Sequence, residues 1–194
     1  MSEFQIRTNM GTTINLDGAV EEFRSTLNGE LLTMDNKDYE SARAIWNGMI
    51  NKRPALITRC LDADDVIHAV NFAREHQLLI AVKGGGHNVA GNAVCEGGLM
   101  IDLSLMKTVQ VDPEKKTARI EPGCLLSDAD RETQAFGLAV SGGIISHTGV
   151  AGLTLGGGFG WISRKHGFSI DNLISANVVT ADGKLVTASK TENP

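Results

Sequence analysis

AVKGGGHNVAGN, residues Ala81 to Asn92, is an apolar run that stops at three consecutive glycines followed by a histidine and an asparagine. Glycines in series carry no side chains, so their N–H groups can crowd onto an anion and their backbone can take φ > 0 values closed to other residues. Gly84, Gly85 and Gly86 therefore suit a pyrophosphate cradle, and equally a tight turn that leaves His87 in water. A second glycine-rich stretch, SGGIISHTGVAGLTLGGGFG from Ser141 to Gly160, favours the cradle. Two separated loops of bare backbone can clamp one long dinucleotide from two sides.

Neither loop fits the commoner phosphate motifs. No Gly-Lys-Ser/Thr occurs in the chain, which excludes the P-loop spacing. The Rossmann spacing needs glycines at i, i+2 and i+5, but counting from Gly84, Gly156 or Gly158 places Val89, Trp161 or Ser163 at the last position. Some other scaffold must bind the dinucleotide.

VKGGGHN followed some sixty residues later by TGVAGLTLGGGFGW resembles the FAD-binding, PCMH-type domain of the vanillyl-alcohol oxidase superfamily, closest to its berberine-bridge-enzyme-like bacterial oxidoreductases. The similarity runs from about Tyr39 to the last residue and includes RAIWN, RPALITRC and ANVVTADG. The resemblance implies that His87, which follows the glycines, is the residue joined through its ring to the 8α-methyl of the flavin. Many members carry a second link from a cysteine in the later loop, but Ile145 fills that place here, and Cys60, Cys95 and Cys124 lie elsewhere. One covalent link is therefore implied, not two.

The composition sets wider bounds. A chain of 194 residues, 42% hydrophobic and 21% charged, is long enough for one sizeable domain or two small lobes around a shared site. Its 22 glycines exceed the usual ~7%, and the excess sits in the two loops, so it marks loops and not disorder. A net charge of −5 argues against nucleic acid or an anionic membrane as partner. The start, MSEFQIRTNMGTTINL, has no apolar core of signal-peptide length, and no apolar run approaches the ~18 residues of a membrane span. Three cysteines without paired spacing fit a reducing compartment, so a cytoplasmic location is expected. No H-E-x-x-H and no Cys/His cluster is present, so no metal site is expected.

Along the chain, residues 1 to about 16 carry weak periodicity and read as a frayed start. Asp17 opens a helix with Val20, Phe23 and Leu27 on one face and Gly29 as its stop. DYESARAIWNGMI repeats that pattern through Ala42, Ile45, Trp46 and Met49, with Trp46 expected in the core because tryptophan contributes mostly buried area. A strand over ALIT, a helix over DADDVIHAVNFAREHQ capped by Asp62, and a strand over LLIAV make a βαβ unit with a parallel pair. The glycine cradle sits at the carboxyl end of the second strand, the edge where parallel sheets bind ligands. GLMIDLS is a further strand, ending in Asp102 and Ser104, which serve either strand-end hydrogen bonds, the commoner role, or a cofactor. TVQVDPEKKTARIEP reads as a hairpin, LLSDADRETQAFG as a helix closed by Gly137, FGWISRKHG as a short helix with His166 a surface cation, and ISANVVTADGKLVTASK as a hairpin with an Asp-Gly turn. His147 faces either the flavin ring or, as loop histidines commonly do, a backbone partner.

The expected fold is α+β in two lobes, a parallel βαβ lobe at 51–104 and a mainly antiparallel lobe at 105–194, preceded by a helical extension at 1–50, with FAD in the cleft between the lobes. The candidate cofactor-binding residues are Lys83, Gly84, Gly85, Gly86, His87, Asn88, Thr148, Gly149, Val150, Gly152, Thr154, Gly156 and Gly157. Lys83 either keeps a positive charge near the pyrophosphate or is a solvated strand-end lysine. The resemblance implies FAD-dependent oxidation of a small organic substrate of alcohol, sugar or amine type by hydride transfer to the flavin. In the family a substrate domain follows a stretch like TASKTENP, so the chain reads as lacking that domain. No catalytic base is assigned. The alternative is a stand-alone or non-catalytic flavin-binding module.

Overall fold

A computed structural model describes residues 5–194. Its strands are β1 (Gln5–Arg7), β2 (Thr13–Asn15), β3 (Glu30–Leu32), β4 (Leu56–Arg59), β5 (Ile80–Lys83), β6 (Leu99–Asp102), β7 (Val109–Asp112), β8 (Thr117–Ile120), β9 (Ser175–Val179) and β10 (Leu185–Ser189). Its helices are α1 (Asp17–Thr26), α2 (Tyr39–Arg43), α3 (Ala63–Glu75), α4 (Leu126–Gln134), α5 (Val150–Leu155) and α6 (Ser163–His166). The chain divides into two compact units, the first made of the residues up to Lys83, Asn88–Leu103 and Ser175 onward, the second of Gly84–His87 and Ser104–Ile174. One break falls between Leu103 and Ser104, and the 175–194 hairpin and residues 5–50 belong to the first unit.

The first unit is built on a four-stranded sheet of order β3-β4-β6-β5. Strands β4 and β5 run parallel, joined through α3, but they are not neighbours, because β6 pairs in parallel with both. The physical reason lies in the LMID sequence of β6, all four residues of which are buried. A strand buried along its whole length, apolar up to the Asp102 at its end, is satisfied inside a sheet covered on both faces. The segment before residue 50 is not wholly helical, since β3 pairs antiparallel with β4 at the sheet edge.

The start of the chain is not frayed over its described part. Strands β1 and β2 form a hairpin, Ile6 is fully buried, Arg7 N donates to Gly97 O at 2.7 Å and Leu79 N donates to Arg7 O at 2.9 Å. Helix α1 buries Val20 and Phe23, and the Phe23 ring stacks on Phe72 at 4.3 Å, an arrangement worth about 0.5–1.5 kcal/mol beyond area burial. It ends at Thr26. Gly29 serves a different purpose, because a Cβ there would lie 2.1 Å from Arg59 O.

The helix expected through Met49 stops after Arg43, and Trp46 and Met49 are 58% and 91% exposed rather than in the core. Tertiary packing overrides the periodicity. Tyr39 is fully buried with its hydroxyl donating to Pro54 O at 2.6 Å, and Leu32, Ala42, Ile57, Val94 and Met100 close around it. Ile45 and Ile50 reach that cluster from a turn held by Asn47, whose amide donates to Val89 O at 2.8 Å.

Helix α3 follows its sequence closely. Asp62 caps it by accepting from Asp65 N at 3.0 Å, and Ala69 and Ala73 are buried, joined by Phe72. Asp65 is itself fully buried, and its carboxylate accepts from Asn28 N at 2.7 Å, Gly29 N at 3.0 Å and Leu61 N at 2.8 Å. Asp65→Asn turns one of those oxygens into a donor that faces an N–H, leaving a buried amide unsatisfied. It is expected to cost about 1–3 kcal/mol in urea unfolding with the fold retained, and an unchanged midpoint would show that water reaches these amides.

Strands β9 and β10 form the expected hairpin, with Asp182 and Gly183 inside a longer connection closed by Thr180 N donating to Lys184 O at 2.9 Å. Gly183 has φ +75°.

In the second unit β7 and β8 form the expected antiparallel hairpin, with Val109 opposite Ile120 and Val111 opposite Ala118. Helix α4 buries Leu126, Ala129 and Thr133, and Asp128 caps it by accepting from Leu125 N at 2.9 Å. Gly137, at φ +68°, closes the turn after it by donating to Gln134 O. No helix among the described residues is long and apolar enough to cross a membrane.

Candidate functional site

Both glycine loops contribute to the second unit, and they meet there main chain on main chain. A Cβ on Gly85 would lie 2.4 Å from Gly149 N and Cα, and one on Gly149 would lie 2.5 Å from Gly85 N. A Cβ on Gly84 would lie 2.9 Å from Pro122 O. These glycines are required first by the approach of one backbone to another, and that is a second reason for the residue type that the sequence alone does not reveal. Gly86, at φ +71°, turns the chain toward His87.

The later loop is fixed along the start of α4. Leu126 N donates to Thr148 O, Ser127 N to Ser146 O and Val150 N to Cys124 O, each at 2.9 Å. From Gly149 the chain enters α5, where Thr154 Oγ1 donates back to Val150 O at 2.8 Å. Gly152 has no atom within 4 Å of the place a Cβ would take, so its face admits close approach of a ligand to main chain. Gly156 and Gly157 already donate their amides to the last turn of α5, to Gly152 O and Thr154 O among others. Their contribution is space and, at Gly157 with φ +100°, conformation, and not hydrogen-bond donors.

His87 and His147 come together at this crossing. His87 Nε2 lies 2.7 Å from His147 Nδ1, with ring centroids 4.7 Å apart. Partial burial, followed by the charge of His147, pushes the His87 pKa below its ordinary value, while a hydrogen bond to the His147 main chain opposes the fall. A histidine normally near 6.5 and shifted downward is a neutral imidazole at pH 7, so one ring nitrogen carries a lone pair. Sequence reasoning missed His147 as the partner. Its signal was an offset, since His147 precedes Gly149 by as many residues as His87 follows Gly85, but only the crossing gives that offset a meaning. Ile145, in the place of the family's second linking residue, is 47% exposed. His166 is exposed at the end of α6, as expected of a surface cation.

Lys83 and Asn88 belong to the first unit. Lys83 is not a solvated strand-end lysine. It is 9% exposed, its ammonium donates to Ala42 O, and it lies 3.7 Å from Asp102 Oδ2. Asp102, opposite both Arg59 and Lys83 in the sheet register, is 3.9 Å from Arg59 Nε, so it links the ends of three parallel strands. Burial lowers the Lys83 pKa and Asp102 raises it in part. Asn88 is exposed and forms a turn, its Oδ1 accepting from Asn92 N at 2.9 Å. Among the described residues no three His, Cys, Asp or Glu side chains converge as a metal site.

Space beside main chain at Gly152 and Gly157 admits the close approach of a flat ring or a phosphate. Residues 54–189 match the family described as FAD binding domain. The chain is 38% identical over 169 residues to (R)-6-hydroxynicotine oxidase of Paenarthrobacter nicotinovorans, covering 87% of this chain and 37% of that protein. Among solved structures it is similar to Physcomitrella patens BBE-like 1, with TM-score 0.85 at 26% identity over 90% of this chain and 38% of that one. It is similar also to the carbohydrate oxidase of Microdochium nivale, with TM-score 0.83 at 30% identity over 91% and 38%. The chain thus spans little more than a third of the length of the relatives it matches. Its glycine loops, its α+β architecture and these likenesses agree, and the chain belongs to the FAD binding domain family, as a PCMH-type domain that resembles the berberine-bridge-enzyme-like oxidoreductases.

Proposed function

We propose that this chain is the FAD-binding part of an oxidoreductase that removes a hydride from a small organic substrate of alcohol, sugar or amine type, with FAD attached through His87. The observation that supports the reading is the crossing of the two glycine loops at Gly85 and Gly149, which brings His87 to His147 in the loop that leads on to the unobstructed Gly152. FAD supplies the two-electron acceptor that no side chain can provide. The chain's own residues hold it. Gly152 and Gly157 leave space beside main chain for a flat ring or a phosphate, Gly86 turns the chain at φ +71°, Thr148 and Val150 fix the later loop on α4, and His87 offers the attaching nitrogen. Lys83 and Asn88 act on the loop's course through the contacts they make inside the first unit.

The named activities of the relatives, on 6-hydroxynicotine and on carbohydrate, support amines and sugars as the substrates to try first. The cysteines are free and buried, and burial raises all three thiol pKa values, that of Cys95 to about 11. They are therefore protonated at neutral pH, which supports a non-catalytic role in a reducing, cytoplasmic compartment.

Titration of the flavin-free protein with FAD, FMN and NAD is expected to show tightest binding for FAD, and tighter binding of either rival would end this reading. Anaerobic addition of a cyclic amine or an oligosaccharide is then expected to bleach the flavin. Bound flavin that no such substrate bleaches would favour a second reading, a flavin-binding module completed by another polypeptide.

A further inference from the structure

We propose that His147 is a positioning residue for His87, holding a proton on His87 Nε2 and so fixing the tautomer whose lone pair lies on Nδ1. The pairing is not an accident of two mobile side chains. His87 stands just past Gly85 and His147 just before Gly149, and those glycines are in main-chain contact. Ser146 and Thr148, on either side of His147, are each held through their carbonyls by amides of α4. The two ring nitrogens are consequently brought to 2.7 Å by backbone that has little freedom.

With one proton on each ring, the N···N axis holds a single proton in one of two placements. If His147 Nδ1 donates, both rings are Nδ1–H tautomers. If His87 Nε2 donates, both are Nε2–H tautomers, the form a free imidazole side chain prefers. The second placement therefore gives both rings their lower-energy form at once. Neutral His87 with a defined proton position is what a ring nitrogen requires to act as a nucleophile. The tautomer itself is independent of the flavin, whereas its use for attachment rests on the covalent reading proposed above.

The test begins with the flavin-free chain, uniformly 15N-labelled, by long-range 1H–15N correlation of the imidazoles at neutral pH. The wild type is expected to show His87 protonated at Nε2 and unprotonated at Nδ1. His147→Ala is expected to give the averaged shifts of an exchanging ring, and His147→Gln, whose amide oxygen accepts from Nε2–H, is expected to restore the wild-type pattern. His87 protonated at Nδ1 in the wild type overturns the proposal whatever the variants do. An unchanged His87 pattern in a folded His147→Ala overturns it too. With FAD added, His147→Ala is expected to attach flavin on the order of 100-fold more slowly than wild type, in the range of proton-transfer effects, and His147→Gln to recover most of that rate. Equal rates in all three would remove the catalytic consequence of the pair. A fixed wild-type tautomer in a chain that never attaches flavin would instead refute the covalent reading alone.

Discussion

His87→Ala is expected to bind FAD and to release all of it on acid precipitation, whereas the wild type retains an FAD-sized mass increment. The expectation is all-or-none because a covalent bond either survives unfolding or was never made. An imidazole attaches to carbon only through an unprotonated nitrogen held close and in fixed orientation. His87 meets the first condition through burial and the neighbouring His147, both of which lower its pKa, and the second through the glycine crossing behind it. The remaining candidate contacts are largely glycine main chain, which alanine at position 87 leaves in place. Mass spectrometry of the denatured proteins reads the difference directly. Flavin wholly released from the wild type would sink the attachment and point to a dehydrogenase with a dissociable cofactor.

Gly149→Val is expected to cost about 3 kcal/mol or more, the top of the range for overpacking, and to abolish FAD binding. Overpacked side chains usually find relief by changing rotamer. Here the opposing atoms are Gly85 N and Cα, 2.5 and 2.7 Å from the new Cβ. Moving Gly149 strains the bonds that Thr148 O and Val150 N make with Leu126 and Cys124. Gly85→Val meets the same obstacle from the other side and is expected to behave alike. Gly152→Ala is the control within the same loop. Nothing lies within 4 Å of its Cβ position, and it stands inside α5, so alanine is expected to stabilise the flavin-free protein by about 0.5–1 kcal/mol while weakening FAD. Urea unfolding and FAD titration on the three variants separate the two causes. A Gly149→Val protein as stable as wild type would show that the loops part without cost.

What the sequence determined by itself is whatever neighbouring residues decide. Asp62 before an apolar face makes α3, alternating valines around a charged turn make the β7–β8 hairpin, and an Asp-Gly between alternating strands makes the β9–β10 hairpin. The two glycine loops and the histidine after the first stand out in the sequence as runs of residues, but the backbone contact that requires Gly85 and Gly149 does not. Tertiary structure alone decided what depends on residues far apart in the chain. It set β6 between β4 and β5, where all four of its residues are buried. It ended α2 early and left Trp46 outside, since the cluster around Tyr39 recruits Ile45 and Ile50 instead. It gave Lys83 to Ala42 and Asp102, because a buried ammonium takes the nearest acceptors. It also paired Gly85 with Gly149, and through them His87 with His147, across some sixty residues. Local preferences sum over adjacent residues and can be read in order, whereas a contact between distant loops depends on every element that brings them together.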